Sequence, residues 1–164
     1  VDQGLLPCPD VVVVATGSGG TAAGLAAGLV REGLPTRVRA VAVAHPVALI
    51  AGHARALAAA TARHLGLPAA AVAGRLEVDG RFVGTGYGHA SPLTAAALAL
   101  AADHGLPLDD TYTAKALACA LAEADRGRQV LYWHTLSSAP LEPLLRSAPA
   151  EADLPAAVRG LLVG

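Results

Sequence analysis

Val11-Val12-Val13-Val14-Ala15-Thr16-Gly17-Ser18-Gly19-Gly20-Thr21 is the stretch on which the reading of this chain turns. Its four consecutive β-branched residues predict a central strand over Val11–Ala15, because a strand covered on both faces carries no polar alternation. The run stops at a Gly/Ser/Thr loop, and small and apolar residues at helical spacing follow from Thr21 to Arg31. Gly33 and Pro35 end that helix. The glycines let the backbone turn sharply and come close to a ligand. The amides of Ser18 to Thr21 are then left at a helix start, where the macrodipole favours an anion. A phosphorylated molecule is the expected ligand of this loop, against the alternative of an ordinary tight strand-to-helix turn.

Working outward, Arg37 to Ala44 reads as a second strand, and His45-Pro46 opens a long helix that Gly66-Leu67-Pro68 closes. Leu76 to Val83 is expected to be a small hairpin around Asp79-Gly80. Gly84-Thr85-Gly86-Tyr87-Gly88 is a second glycine loop. Ser91-Pro92 caps a helix ending near Asp103, and another helix runs from about Thr111 to Ala124, with Asp109 and Asp110 as its caps. Gln129 to His134 is an apolar strand, Thr135 to Pro143 a polar loop, and the remainder a proline-broken, weakly helical tail. Strands alternating with helices predict an α/β fold, three layers α/β/α with a mostly parallel central sheet, as one domain over residues 1–164. Ligands in such sheets bind beyond the carboxyl ends of the strands, so the loops at Thr16–Thr21 and Thr135–Ser138 are expected to converge.

Composition narrows the classes. The 164 residues are 54% hydrophobic and 15% charged, which excludes disorder. A net charge of −1 without a basic patch argues against nucleic acid or an anionic membrane as partner. Apolar runs are broken well short of a membrane span, and no leader is recognisable, so a cytoplasmic location is expected. Cys8 and Cys119 are read as reduced thiols. None of the six histidines shows metal spacing. With no methionine, the chain is expected to be part of a longer protein.

Gly17-Ser18-Gly19-Gly20-Thr21-Ala22 fits the dinucleotide pattern formally, but the second strand ends in Val43-Ala44-His45-Pro46 where an acidic residue is required. Thr16 stands where a serine-hydrolase elbow needs glycine, and the Gly-Lys-Ser/Thr of a Walker loop is missing. A compact phosphate monoester remains. The loop at Thr16–Thr21, Gly86-Tyr87-Gly88, the run Leu108-Asp109-Asp110-Thr111-Tyr112-Thr113-Ala114-Lys115-Ala116 and Val130-Leu131-Tyr132-Trp133-His134-Thr135 occur in this order. Together they resemble the pyridoxal-phosphate enzymes of the tryptophan-synthase β superfamily (fold type II). The group most similar is the 1-aminocyclopropane-1-carboxylate deaminase and D-cysteine desulfhydrase family, over about Val11 to Pro140.

The resemblance implies roles. Gly17, Ser18, Gly19, Gly20 and Thr21 would hold the cofactor phosphate, Tyr87 would lie against the pyridine ring, and Thr135 would bond the pyridine nitrogen. A core or rim tyrosine is the alternative for Tyr87, and a strand-end cap for Thr135. Ser137 and Ser138 are read as capping the following turn, and His134 as a satisfied, partly buried histidine. The resemblance further implies a small amino-acid substrate converted to a 2-oxo acid and ammonia, and a homodimer. Leu136-Ser137-Ser138-Ala139-Pro140, His89-Ala90 and Ala114 depart from the family pattern. The family's cofactor-linking lysine lies upstream of the phosphate loop, and Val1–Val14 contains none. Lys115, the sole lysine, matches a different helix lysine of the family and is expected to be solvated or snorkelling. The isolated chain is therefore expected to be inactive. The alternative is a non-catalytic module that binds pyridoxal phosphate or another phosphorylated small molecule.

Overall fold

The computed structural model describes residue 1 and residues 3–137, 139–140, 142–146 and 148–160. Strand β1 (Val11–Thr16) leads into helix α1 (Gly20–Arg31), followed by β2 (Arg37–Ala42), α2 (Val47–His64), α3 (Ala69–Arg75) and β3 (Leu76–Asp79). Helices α4 (Pro92–Asp103) and α5 (Thr113–Ala124) precede β4 (Val130–Tyr132). Short helical turns, α6 (Glu142–Leu145) and α7 (Ala156–Arg159) among them, make up the tail. The sheet runs β3-β2-β1-β4, and all its pairings are parallel.

Both faces of this sheet are covered. Val14 of β1, with Val38 and Ala40 of β2, packs on a layer of α1, α2 and α3 built from alanines such as Ala23, Ala54, Ala58 and Ala62. Val11 and Val13 of the same β1 point the other way, toward Ala116 and Cys119 of α5 and Ala97 of α4. The period-2 alternation of side chains gives the valine run Val11–Val14 two apolar faces, which only a central strand can bury. The fold is thus three-layer α/β/α, as the sequence predicted.

Four local expectations need correction. Leu76–Val83 is not a hairpin. β3 pairs in parallel with β2, from Val38 opposite Leu76 to Val41 opposite Asp79. The Asp79 carboxylate then accepts hydrogen bonds from the Arg81 amide and guanidinium. That turn diverts the chain out of the sheet, and Phe82 and Val83 are buried in the core instead of pairing back. Secondly, Ala69–Arg75 forms a helix the sequence reading left unassigned, seated on α1 and α2 through Val72. Thirdly, α5 begins at Thr113, two residues late, because Asp109 occupies the preceding turn. Finally, Lys115 is 0% exposed.

Among the described residues no helix is long and apolar enough to cross a membrane, and no cluster of three or more His, Cys, Asp or Glu side chains is arranged to hold a metal ion. Both cysteines are free thiols, and burial pushes the Cys119 thiol up to about 12, which leaves it unreactive.

Candidate functional site

The loop after β1 turns through Gly19, whose φ is 90°. A Cβ at Gly19 would lie 2.6 Å from the Ala54 Cα, so this loop rests directly on the backbone of α2. Glycine is required here twice over, by the dihedral and by the approach. Helix α1 then starts at Gly20 with no side-chain cap and no acidic residue in its first turn. Its first amides are open to a ligand, at the positive end of the dipole.

A cavity of about 680 Å³ opens over these amides at the carboxyl end of β1. Ala15, Thr16 and the whole loop Gly17–Thr21 form one wall. Asp109 and Thr111–Thr113 form a second wall, and Thr135, Leu136 and Ser137 complete it. The sequence thus placed Gly17, Ser18, Gly19, Gly20, Thr21 and Thr135 in one cavity, although the two segments lie on different strands. Thr16 is 3% exposed, and its Oγ1 has no hydrogen-bond partner among the described residues. An orphaned buried hydroxyl costs about 1–3 kcal/mol unless something bonds it. Thr16 is among the residues that line the cavity, in the strand end that leads into the open helix start.

The second wall is built differently. Asp109 Oδ1 accepts from the Thr111 and Tyr112 amides (2.9 and 2.6 Å), and Oδ2 from the Thr113 amide and hydroxyl (3.1 and 2.6 Å). Burial works against the carboxylate, but these hydrogen bonds prevail and hold its carboxyl below the usual range. Asp109 is therefore spent on α5 and leaves no free acceptor for a ligand. Asp110, paired with it as a cap in the sequence reading, accepts from the Thr111 hydroxyl and, among the described residues, from no backbone amide of α5.

Tyr87 is 57% exposed and does not itself line the cavity. It reaches the wall through Tyr112: the two hydroxyls are 2.9 Å apart and the rings meet edge-on, with centroids at 5.7 Å. That hydrogen bond, helped by burial, raises the Tyr112 phenol above its ordinary value. His134 Nε2 donates to the Pro107 carbonyl (2.9 Å), which ties the end of β4 to the segment before α5. It is a satisfied, half-buried histidine. Ser137 Oγ accepts from the Ala139 amide, a turn contact, while Ser138 lies outside the described residues.

Sequence reasoning counted Thr16 in the converging loop without giving its hydroxyl a role, and it missed Thr111, Tyr112 and Thr113 as cavity residues. Thr16 had a signal, a hydroxyl at the last residue of an otherwise apolar buried strand. Tyr112 stood inside a quoted motif, but only the folding of Asp109 under the helix start turns its ring to the cavity.

The sequence pattern of the family described as "Pyridoxal-phosphate dependent enzyme" matches residues 2–135. No curated protein matches the chain. Among solved structures, one described as "Crystal Structure Analysis of the ACC deaminase homologue" superposes with a TM-score of 0.66 at 26% identity. It is matched over 82% of this chain and 41% of its own length, so the chain spans less than half of that relative. The family pattern ends at Thr135 and takes in the whole lining of the cavity except Leu136 and Ser137. This chain belongs to the pyridoxal-phosphate-dependent enzyme family.

Proposed function

We propose that the cavity at the start of α1 holds pyridoxal phosphate, as part of a lyase or deaminase that acts on a small amino acid and releases a 2-oxo acid and ammonia. The buried Thr16 hydroxyl without a partner, set beside an uncapped helix start, carries this reading. The amides of the Gly17–Thr21 loop and the hydroxyls of Thr16, Ser18 and Thr21 hold the phosphate. Thr135 bonds the pyridine nitrogen from the opposite wall. A neutral hydroxyl in that place leaves the nitrogen unprotonated and moderates the pull on electrons. The Tyr87–Tyr112 pair closes the side of the cavity and presents a phenol there. Bound in this cavity, the cofactor supplies an electron sink for charge developing on an attached amino acid. The described deaminase homologue and the order of the motifs support a substrate of this class; a homodimer is the expected assembly.

A second reading is a module that binds the cofactor without catalysis. It is favoured by Lys115: the only amine side chain of the chain is turned away from the cavity and bonded to backbone. Titration with pyridoxal phosphate, followed by borohydride reduction and mass mapping, tests both. Saturable binding that inorganic phosphate competes away, with no cofactor mass on Lys115, is the expected result. Cofactor reduced onto Lys115 would overturn the assignment of that residue, and binding indifferent to phosphate would sink the assignment of the loop.

A further inference from the structure

Lys115 stands in the first turn of α5, behind the cavity wall, and none of its surface reaches solvent. Its Nζ donates to three backbone carbonyls: Gly86 at 2.7 Å, Val83 at 2.9 Å and Val43 at 3.2 Å. An ammonium has three protons, and all three are used. The carbonyls come from two separate places, the end of β2 and the segment that leads into the second glycine loop. A buried charge persists only when its bonds replace water's, and charge-assisted hydrogen bonds of this kind are the strong ones.

What those bonds hold is otherwise loose. Among the described residues, no backbone–backbone hydrogen bond involves residues 84–90. The segment turns through three glycines with positive φ, at Gly84, Gly86 and Gly88. Apart from Lys115, its hydrogen bonds are a long one from His45 Nε2 to the Gly84 carbonyl (3.4 Å) and the Tyr87–Tyr112 contact. Lys115 grips the carbonyl of Gly86, the residue immediately before Tyr87. The partner ring, Tyr112, is the residue that precedes α5, three positions before Lys115. One helix turn therefore carries both the amine that fixes the loop and the phenol that the loop must meet.

We propose that Lys115 is a positioning residue: its caged ammonium locks the Gly84–Gly88 loop onto the end of β2 and so sets Tyr87 against Tyr112 at the cavity wall. It touches neither cofactor nor substrate. The value of the tyrosine pair to the chemistry rests on the function proposed above, whereas the clamp itself does not. Small glycine-rich loops gain a defined shape only from contacts such as this, because their backbone entropy is high.

Lys115→Met keeps the stem and removes all three donors. With 13Cζ-tyrosine labelling, Tyr87, Tyr112 and Tyr132 give three separate signals for titration. In the variant the Tyr112 midpoint is expected to fall toward the ordinary phenol value, while Tyr132, bonded to the Thr113 carbonyl, keeps its own. Inorganic phosphate binding at the Gly17–Thr21 loop should stay within ~3-fold of the unaltered chain, since none of the clamp's hydrogen bonds goes to a residue of that loop. An unchanged Tyr112 titration in a folded variant overturns the proposal. Should the variant fail to fold, the unaltered chain decides. Its single lysine gives one ammonium signal, expected to show hydrogen exchange and acetylation at least ~10-fold slower than a free amine. Fast exchange and ready acetylation would overturn the clamp. Failure of the unaltered chain to bind phosphate is a different outcome: it removes the cofactor reading and leaves the clamp standing.

Discussion

Two helix starts face the same cavity and are finished in opposite ways. The first turn of α5 is sealed by its own chain, with one carboxylate of Asp109 taking three amides and a hydroxyl. The first turn of α1 is left open, with Gly19 at the cap position and, in the strand that leads to it, the buried Thr16 hydroxyl, which has no partner among the described residues. Both ends carry the same partial positive charge, so the dipole alone does not choose between them. The choice is made by which end already holds an anion. Under the proposed function, a ligand's phosphate goes to α1 because α5 has been neutralised from within.

The comparison breaks most severely at Gly19. Gly19→Ala puts a Cβ 2.6 Å from the Ala54 Cα at a positive φ, and backbone meeting backbone has no soft way to yield. A stability loss of about 3 kcal/mol or more is expected in denaturant titration, together with loss of phosphate binding. A loss under about 1 kcal/mol would show that the loop does not rest on α2 as described.

Unsealing α5 comes next. Asp109→Ala orphans three amides and should cost about 2 kcal/mol, at the upper end for a lost cap. It should also make α5 an anion competitor, so that added phosphate recovers part of the lost melting temperature. Recovery in Asp109→Ala equal to that of the parent chain would mean that the sealed end never rivalled the open one.

Acid provides a graded version of the same change. The folded Asp109 carboxyl titrates below 3.8, the ordinary value of an aspartate in an unfolded chain. Between those values the unfolded chain binds more protons than the folded one, so its contribution is complete well above pH 3.8 and is lost as pH falls through the folded value. Asp79, held down by Arg81 in spite of its burial, acts in the same direction. Chemical denaturation followed from pH 6 to pH 2 is expected to show the Asp109→Asn chain losing less stability than the parent. Identical slopes would remove Asp109 from the account.

Thr16→Val is the smallest change and the sharpest. The shape is kept and an unpaired buried hydroxyl is removed, so stability should stay level or rise by up to ~1 kcal/mol. Phosphate or pyridoxal-phosphate affinity, by calorimetry, should fall ~10-fold, equivalent to about 1.4 kcal/mol. Destabilisation without loss of affinity would mean that the hydroxyl serves the fold and not the ligand.

Much of this was legible along the chain because it is local. Val11–Val14 can be satisfied only by burial on both faces, and Gly17–Thr21 behind it can make only a sharp turn into a helix. Asp109 was recognisable as a cap because the amides that donate to it lie within four residues. Leu76–Asp79 misled for the same reason: Asp-Gly after a short apolar run is a hairpin signal, and nothing nearby announces that β2 lies open to receive a parallel edge strand. Lys115 misled more completely. An amine between two alanines on a helix reads as solvated until its three acceptors are known, and they lie 29, 32 and 72 residues away.

By itself the sequence determined the α/β class, the two-faced central strand and the glycine turn that leads from it into α1. Each follows from side-chain branching, glycine dihedrals and spacing over a few residues, and no distant neighbour alters them. Tertiary structure alone decided that Lys115 is caged, that β3 runs parallel, that Tyr112 stands between Tyr87 and the cavity, and that the Thr16 hydroxyl finds no partner among the described residues. Those are questions of which acceptors, strands and rings meet in space, and a buried polar group is satisfied or orphaned only by what the whole fold brings to it.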